Sequence, residues 1–89
     1  MKPNKRNQIS WDDLEYVAIL AKLNDSITQC TVTHEGRQVA HLFLLRDGLL
    51  ALTEVRFEQD REPDDGLLLA IGRVLVAHLR ASREGRSLI

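Results

Sequence analysis

Cys30, His41 and Glu54 are the residues of this chain whose types could carry nucleophilic chemistry, as a thiol, an imidazole and a carboxylate. Such a trio works only if the thiol ionises and the imidazole lies within hydrogen-bond reach of it. Each member sits in its own β-prone run, so the three can meet only across three neighbouring strands. The connection at His34-Glu35-Gly36 decides whether they do. A three-residue loop with Gly36 in the left-handed region sets Thr33 opposite Arg37 and turns Cys30 into the core. A two-residue loop instead swings Cys30 onto the face of His41 and Glu54. The three-residue loop is the reading adopted, because a lone small thiol is more often buried than reactive. No catalytic residue is assigned and the chain is read as not an enzyme. His41 opposite Glu54 is then a cross-strand polar pair.

The other candidate ligands are sparser. His34, His41 and His78 fit no compact metal-ligand spacing, so no metal or other cofactor is expected. There is no glycine-rich phosphate loop and no nucleophile-elbow motif. Arg73, Arg80, Arg83 and Arg86 make the C-terminal segment basic, while Glu58 to Asp65 is acidic. This segregation could let two copies attract each other head to tail, or make the arginines a contact patch for an acidic partner.

These side chains must be positioned by the surrounding elements. Ser10 with Asp13 reads as a helix N-cap and an acidic capping box, and Ile9 with Leu14 as a hydrophobic staple, which predicts a first helix to about Asn24. Trp11, Leu14, Val17, Ala18 and Ala21 fall on one side of that helix, and Tyr16, Ile19, Leu20 and Leu23 on the other. Three strands are predicted at about 27–33, 38–46 and 49–57, with an Asp47-Gly48 hairpin turn setting Arg46 opposite Leu49. These registers send Thr28, Cys30, Val32, Ala40, Leu42, Leu44, Leu49, Ala51, Thr53, Val55 and Phe57 to one face. The other face receives Ile27, Val39, Phe43, Leu45, Leu50 and Leu52, beside polar Gln29, Thr31, Thr33, His41, Glu54 and Arg56. After a solvated acidic linker, Asp64 or Asp65 caps a second helix over about 65–83, ended by Gly85. Its stripe is Leu67, Leu68, Ile71, Val74, Leu75, His78 and Leu79. Leu69 and Val76 lie outside it as an extra apolar seam.

Composition sets the class. The chain has 89 residues, of which 44% are hydrophobic and 28% charged, with net charge −1. That is one small globular domain, 1–89, with a flexible leader at 1–8 and a flexible tail at 84–89. The near-neutral charge argues against bulk attraction to nucleic acid or an anionic membrane. One cysteine cannot form an internal disulfide, and no apolar run reaches the ~20 residues of a membrane span, so a cytoplasmic protein without membrane contact is expected.

Three partial likenesses arise. SWDDLEYVAILAKLND, Ser10 to Asp25, resembles the first helix of LysR-type transcription regulators, but the residues after it are strand-like. The element order is similar to double-stranded-RNA-binding domains, although Pro63-Asp64-Asp65-Gly66 stands where that family places lysines for phosphate. ITQCTVTHEGRQVAHLFLL, Ile27 to Leu45, resembles a strand pair of class I type III secretion chaperones, whose later strands and final helix have no counterpart. No family is assigned on these likenesses.

The expected fold is therefore α+β, ordered α-β-β-β-α: a three-stranded antiparallel meander with two helices packed on one face. Helices on one face leave Phe43, Leu45, Leu50 and Leu52 on the other, with Leu69 and Val76 as further unclaimed apolar surface. Four or more such side chains in water are a liability at ~1.5 to 3 kcal/mol each, so a homodimer is expected. The functional reading is a homodimeric interaction module of adaptor, chaperone or inhibitor type. Its alternatives are a nucleic-acid-associated regulator using the arginines and a small thiol enzyme using Cys30.

Overall fold

The structure is a computed structural model and describes residues 7–48, 50–58 and 62–89. Five strands precede a single helix: β1 (Asn7–Trp11), β2 (Leu14–Lys22), β3 (Ile27–His34), β4 (Arg37–Asp47), β5 (Leu50–Phe57) and α1 (Asp65–Arg83). The strands form one antiparallel sheet in the order β1-β2-β3-β4-β5. The radius of gyration, 12.9 Å, is near the ~12 Å of a compact chain this long. Most of the expected leader, residues 1–6, and part of the acidic linker, 59–61, lie outside the described residues, whereas Asn7 and Gln8 open β1.

The main correction concerns the N-terminal third. Residues 9–24 form a hairpin rather than a helix, so the fold has five strands and one helix instead of three strands and two helices. The apolar residues that a helical projection spreads over two opposite sides are, at period two, the two faces of a strand. Tyr16, Ala18 and Leu20 are buried, and Val17 and Ile19 alternate with them on the half-buried outer side. Aromatic and β-branched residues in this run favour that outcome. Asp13, which reads as part of a helix-start signal, instead lies with Asp12 in the turn between Trp11 and Leu14.

The remaining registers differ from expectation in a way that preserves the faces. The first turn has two residues, Glu35 and Gly36, both at positive φ (56° and 81°), and His34 pairs with Arg37. That alone would place Cys30 opposite His41. A β-bulge intervenes: Thr33 pairs with Gln38 but Val32 with Ala40, so Val39 is the extra residue and Cys30 meets Leu42. Val39, expected on the outer face, is buried. In the β4–β5 hairpin Asp47 pairs with Leu50 and Arg46 with Ala51, a shift of two residues that leaves the alternation intact.

One face of the sheet is closed by α1. Tyr16, Ala18, Leu20, Cys30, Val32, Ala40, Leu42 and Leu44 pack against Leu67, Ala70, Ile71 and Val74 in a single core. The helix occupies the predicted span, with Asp64 as N-cap accepting from the Leu67 amide and Gly85 at φ 74° beyond its end. Its buried arc is turned from the predicted stripe: small Ala70 and Ala81 face the sheet and allow close approach, while Leu68 and Leu79 rotate outward. Two side chains fix its seat. The Tyr16 hydroxyl donates to the Asp64 carboxylate, 2.9 Å from both oxygens, and His78 Nε2 donates to the Leu45 carbonyl at 2.9 Å. A carbonyl can only accept, so His78 Nε2 carries the hydrogen. At the chain end, Leu88 and Ile89 pack against the core rather than extending away from it.

Candidate functional site

The proposed thiol chemistry meets a closed core. Cys30 is fully buried, and burial pushes its thiol from an ordinary value of 9.0 up to about 12. Neither expected partner is beside it: His41 pairs with Thr31 and Arg56, and Glu54 with Phe43, on the opposite face of the sheet. His41 opposite Glu54 is therefore corrected as well. His41 Nε2 lies 3.5 Å from Glu58, while Glu54 pairs with Arg56 at 2.8 Å, whose guanidinium lies over the Phe43 ring.

The elevated thiol value has a consequence for stability. Above about pH 9 the unfolded chain releases a proton that the folded chain retains, so stability falls as pH rises, by up to ~1.4 kcal/mol per unit toward pH 12. Urea titrations at about pH 8 and about pH 10 should show a larger loss in the native protein than in Cys30→Ala. Equal losses would mean the thiol ionises as readily folded as unfolded.

One donor cluster escaped the sequence reading. Glu15, His34 and Glu35 bring one ligand atom each to within 4.8 Å of one another. Strand pairing explains the meeting, because Tyr16 is opposite His34 and Glu35 follows it in the turn. His34 Nε2 lies 3.3 Å from Glu15, and its ring stacks on Tyr16 with centroids 4.7 Å apart. Both carboxylates are exposed, and the close contact within the trio is the one between Glu15 and His34.

The four arginines separate into engaged and unengaged pairs. Arg73 makes two hydrogen bonds to Asp13, at 2.9 and 2.8 Å, and lies 5.9 Å from the Trp11 ring centroid. This contact holds the Asp13 carboxyl below the usual carboxylate range. Arg86 is paired with Glu84. Among the described residues neither Arg80 nor Arg83 has an ion pair or side-chain hydrogen bond.

Among the described residues, two apolar surfaces are left uncovered. On the outer sheet face, Ile27, Leu45 and Leu52 are neighbours in successive strands, Phe43 flanks them, and Leu50 adjoins Leu52. Leu50 and Leu52 are 63% and 56% exposed. On the outer side of α1, Leu68, Leu69, Val76 and Leu79 are each 42 to 49% exposed. Trp11, Leu69, Gly72, Arg73, Val76, Ala77 and Arg80 line a shallow groove of about 490 Å³ there.

Comparison with protein-family models, curated proteins and solved structures returns no match to this chain. Its function must therefore be argued from these surfaces. No helix among the described residues is long and apolar enough to cross a membrane.

Proposed function

We propose that the protein is an interaction module that works as a two-fold homodimer through the apolar half of its outer sheet face. The supporting observation is the contiguous group Ile27, Phe43, Leu45, Leu50 and Leu52, which no element among the described residues covers: the first three are half-buried and the two leucines of β5 exposed. Burying one such side chain is worth ~1.5 to 3 kcal/mol, and a self-complementary patch needs only a second copy to be covered. The polar half of the same face, with His41, Glu54 and Arg56, is suited to an interface rim.

Light scattering over a concentration series tests this directly. The native protein should show twice the chain mass, and Leu52→Lys should show the single-chain mass with its fold intact by circular dichroism, because a buried unpaired charge is costly. A native monomer at high concentration, or a Leu52→Lys dimer of unchanged stability, would remove the sheet face from the proposal. The nucleic-acid alternative starts with Arg73 and Arg86 already matched to carboxylates. Oligonucleotide binding that weakens steeply with salt would be its signature.

A further inference from the structure

The outer side of α1 is apolar where a helix covering one sheet face is normally charged. Projected at 100° per residue, Leu68 and Leu79 form one flank, Gly72, Val76 and Leu69 the crest, and Arg80 and Arg73 the other flank, with Arg83 at the C-terminal end. The sheet-facing arc of Leu67, Ala70, Ile71, Val74, His78 and Ala81 lies opposite, so this second apolar arc contributes nothing to the chain's own core.

From these placements we propose that the groove between α1 and Trp11 docks an acidic amphipathic helix of a partner protein. This deepens the interaction-module reading by giving the dimer a separate surface for its target.

Three observations select that occupant. The first is shape. From Leu69 to Arg80 the groove runs about 17 Å along the helix, three turns, and it is shallow. A small ligand lying in it would keep much of its surface in water, whereas a helix brings its own covering surface. The second is backbone access. A Cβ built on Gly72 meets nothing within 4 Å, so the middle of the groove floor is open to a close neighbour. The third is charge. Arg80 and Arg83 are unmatched among the described residues, and α1 has no acidic residue between Asp65 and Glu84. A second copy of α1 would bring three arginines to this face, Arg73, Arg80 and Arg83, and a single carboxylate, Asp65, to meet them. A partner with carboxylates flanking a leucine-type stripe satisfies both the apolar crest and the guanidinium groups. Arg73 is already held by Asp13 over Trp11, which fixes the wall of the groove in place.

The test uses the full-length protein and two synthetic helical peptides of about 14 residues, long enough to span the groove. Both carry leucine on one face; one has glutamate on the flanks, its twin lysine. Trp11 is the only tryptophan and lines the groove, so its fluorescence reports binding there. The glutamate peptide should saturate the signal and move the amide resonances of 69–80, with affinity at least about tenfold above the lysine twin. Arg80→Glu should reverse that order. Leu52→Lys, whatever its mass, should bind the glutamate peptide as the native protein does, so failure of the sheet-face dimer and failure of this site are separable. Equal affinity for both peptides, shifts confined to the sheet face, or no binding at millimolar peptide would overturn the proposal. So would a native dimer dissociated by Val76→Lys but not by Leu52→Lys, which assigns the helix face to a second copy. Displacement of the glutamate peptide by a single-stranded oligonucleotide would likewise overturn it.

Discussion

Leu42→Ala is expected to destabilise the protein by about 3 to 4 kcal/mol, read as a fall in the urea midpoint with little change in slope. Leu42 has no exposed surface. It lies in β4 between Cys30 and Val55 on the neighbouring strands, in the core cluster that α1 completes. Truncation leaves a cavity that these ladder-bound neighbours cannot collapse into, so the cost exceeds the transfer energy of the lost methyl groups. At ~0.05 to 0.15 kcal/mol per residue, a domain of this size can lose most of its stability through that change. The same truncation at Leu52 gives the useful contrast. In an isolated chain Leu52→Ala should stay within about 0.5 kcal/mol of native, since the side chain is already more than half in water. In a sheet-face dimer its cost should grow with protein concentration. A Leu42→Ala midpoint equal to native would mean that the centre of the sheet is not packed as described.

How far the sequence carried this picture depended on whether local signals had competitors. The helix from Asp65 to Arg83 was legible because its cap, its glycine stop and its basic last turn agree over a long span. The faces of β3, β4 and β5 were legible for a different reason: errors of two residues in register leave a period-two pattern unchanged. Residues 9–24 misled because both periods fit them. Ser10 and Asp13 satisfy helix-start chemistry, but Asp13 with Asp12 also makes a tight turn between two strands. An apolar residue at nearly every position from Tyr16 to Ala21 was the warning, since helices rarely need two opposite oily sides and a covered strand does. The Val39 bulge had no local signal at all. It is decided by burial of Cys30 and Leu42 together, a tertiary preference that overrides the turn. The Leu69 and Val76 seam was visible in the sequence, whereas Leu68 and Leu79 joined it only because Ala70 and Ala81 let the helix roll toward the sheet.

The second large effect is expected at the latch that holds the helix start to the sheet. Asp64 is outside α1, yet its carboxylate accepts the Leu67 amide at 2.8 Å and the Tyr16 hydroxyl at 2.9 Å. Losing an N-cap costs ~1 kcal/mol, and losing a hydrogen bond to a charged group ~1.5 to 3 kcal/mol. Asp64→Ala should therefore cost about 3 kcal/mol, with faster amide exchange at Leu67 and Leu68. Tyr16→Phe should cost less, about 1 to 2 kcal/mol, because the cap to Leu67 survives. If the two side chains act as one unit, the double variant should be more stable than the sum of the singles predicts, by about 1 kcal/mol or more. Additive losses would show that the hydroxyl and the carboxylate contribute independently. Gly66→Ala probes the same place from the other side: its Cβ would lie 3.0 Å from Tyr16 Cε2, so the ring must give by a few tenths of an ångström. A displaced ring pulls the hydroxyl from Asp64 and disturbs its stack on His34, so Gly66→Ala should lose stability despite the better helix propensity of alanine. Stabilisation by that substitution would mean Tyr16 can yield without loosening the helix, and the latch would then contribute only its capping bond.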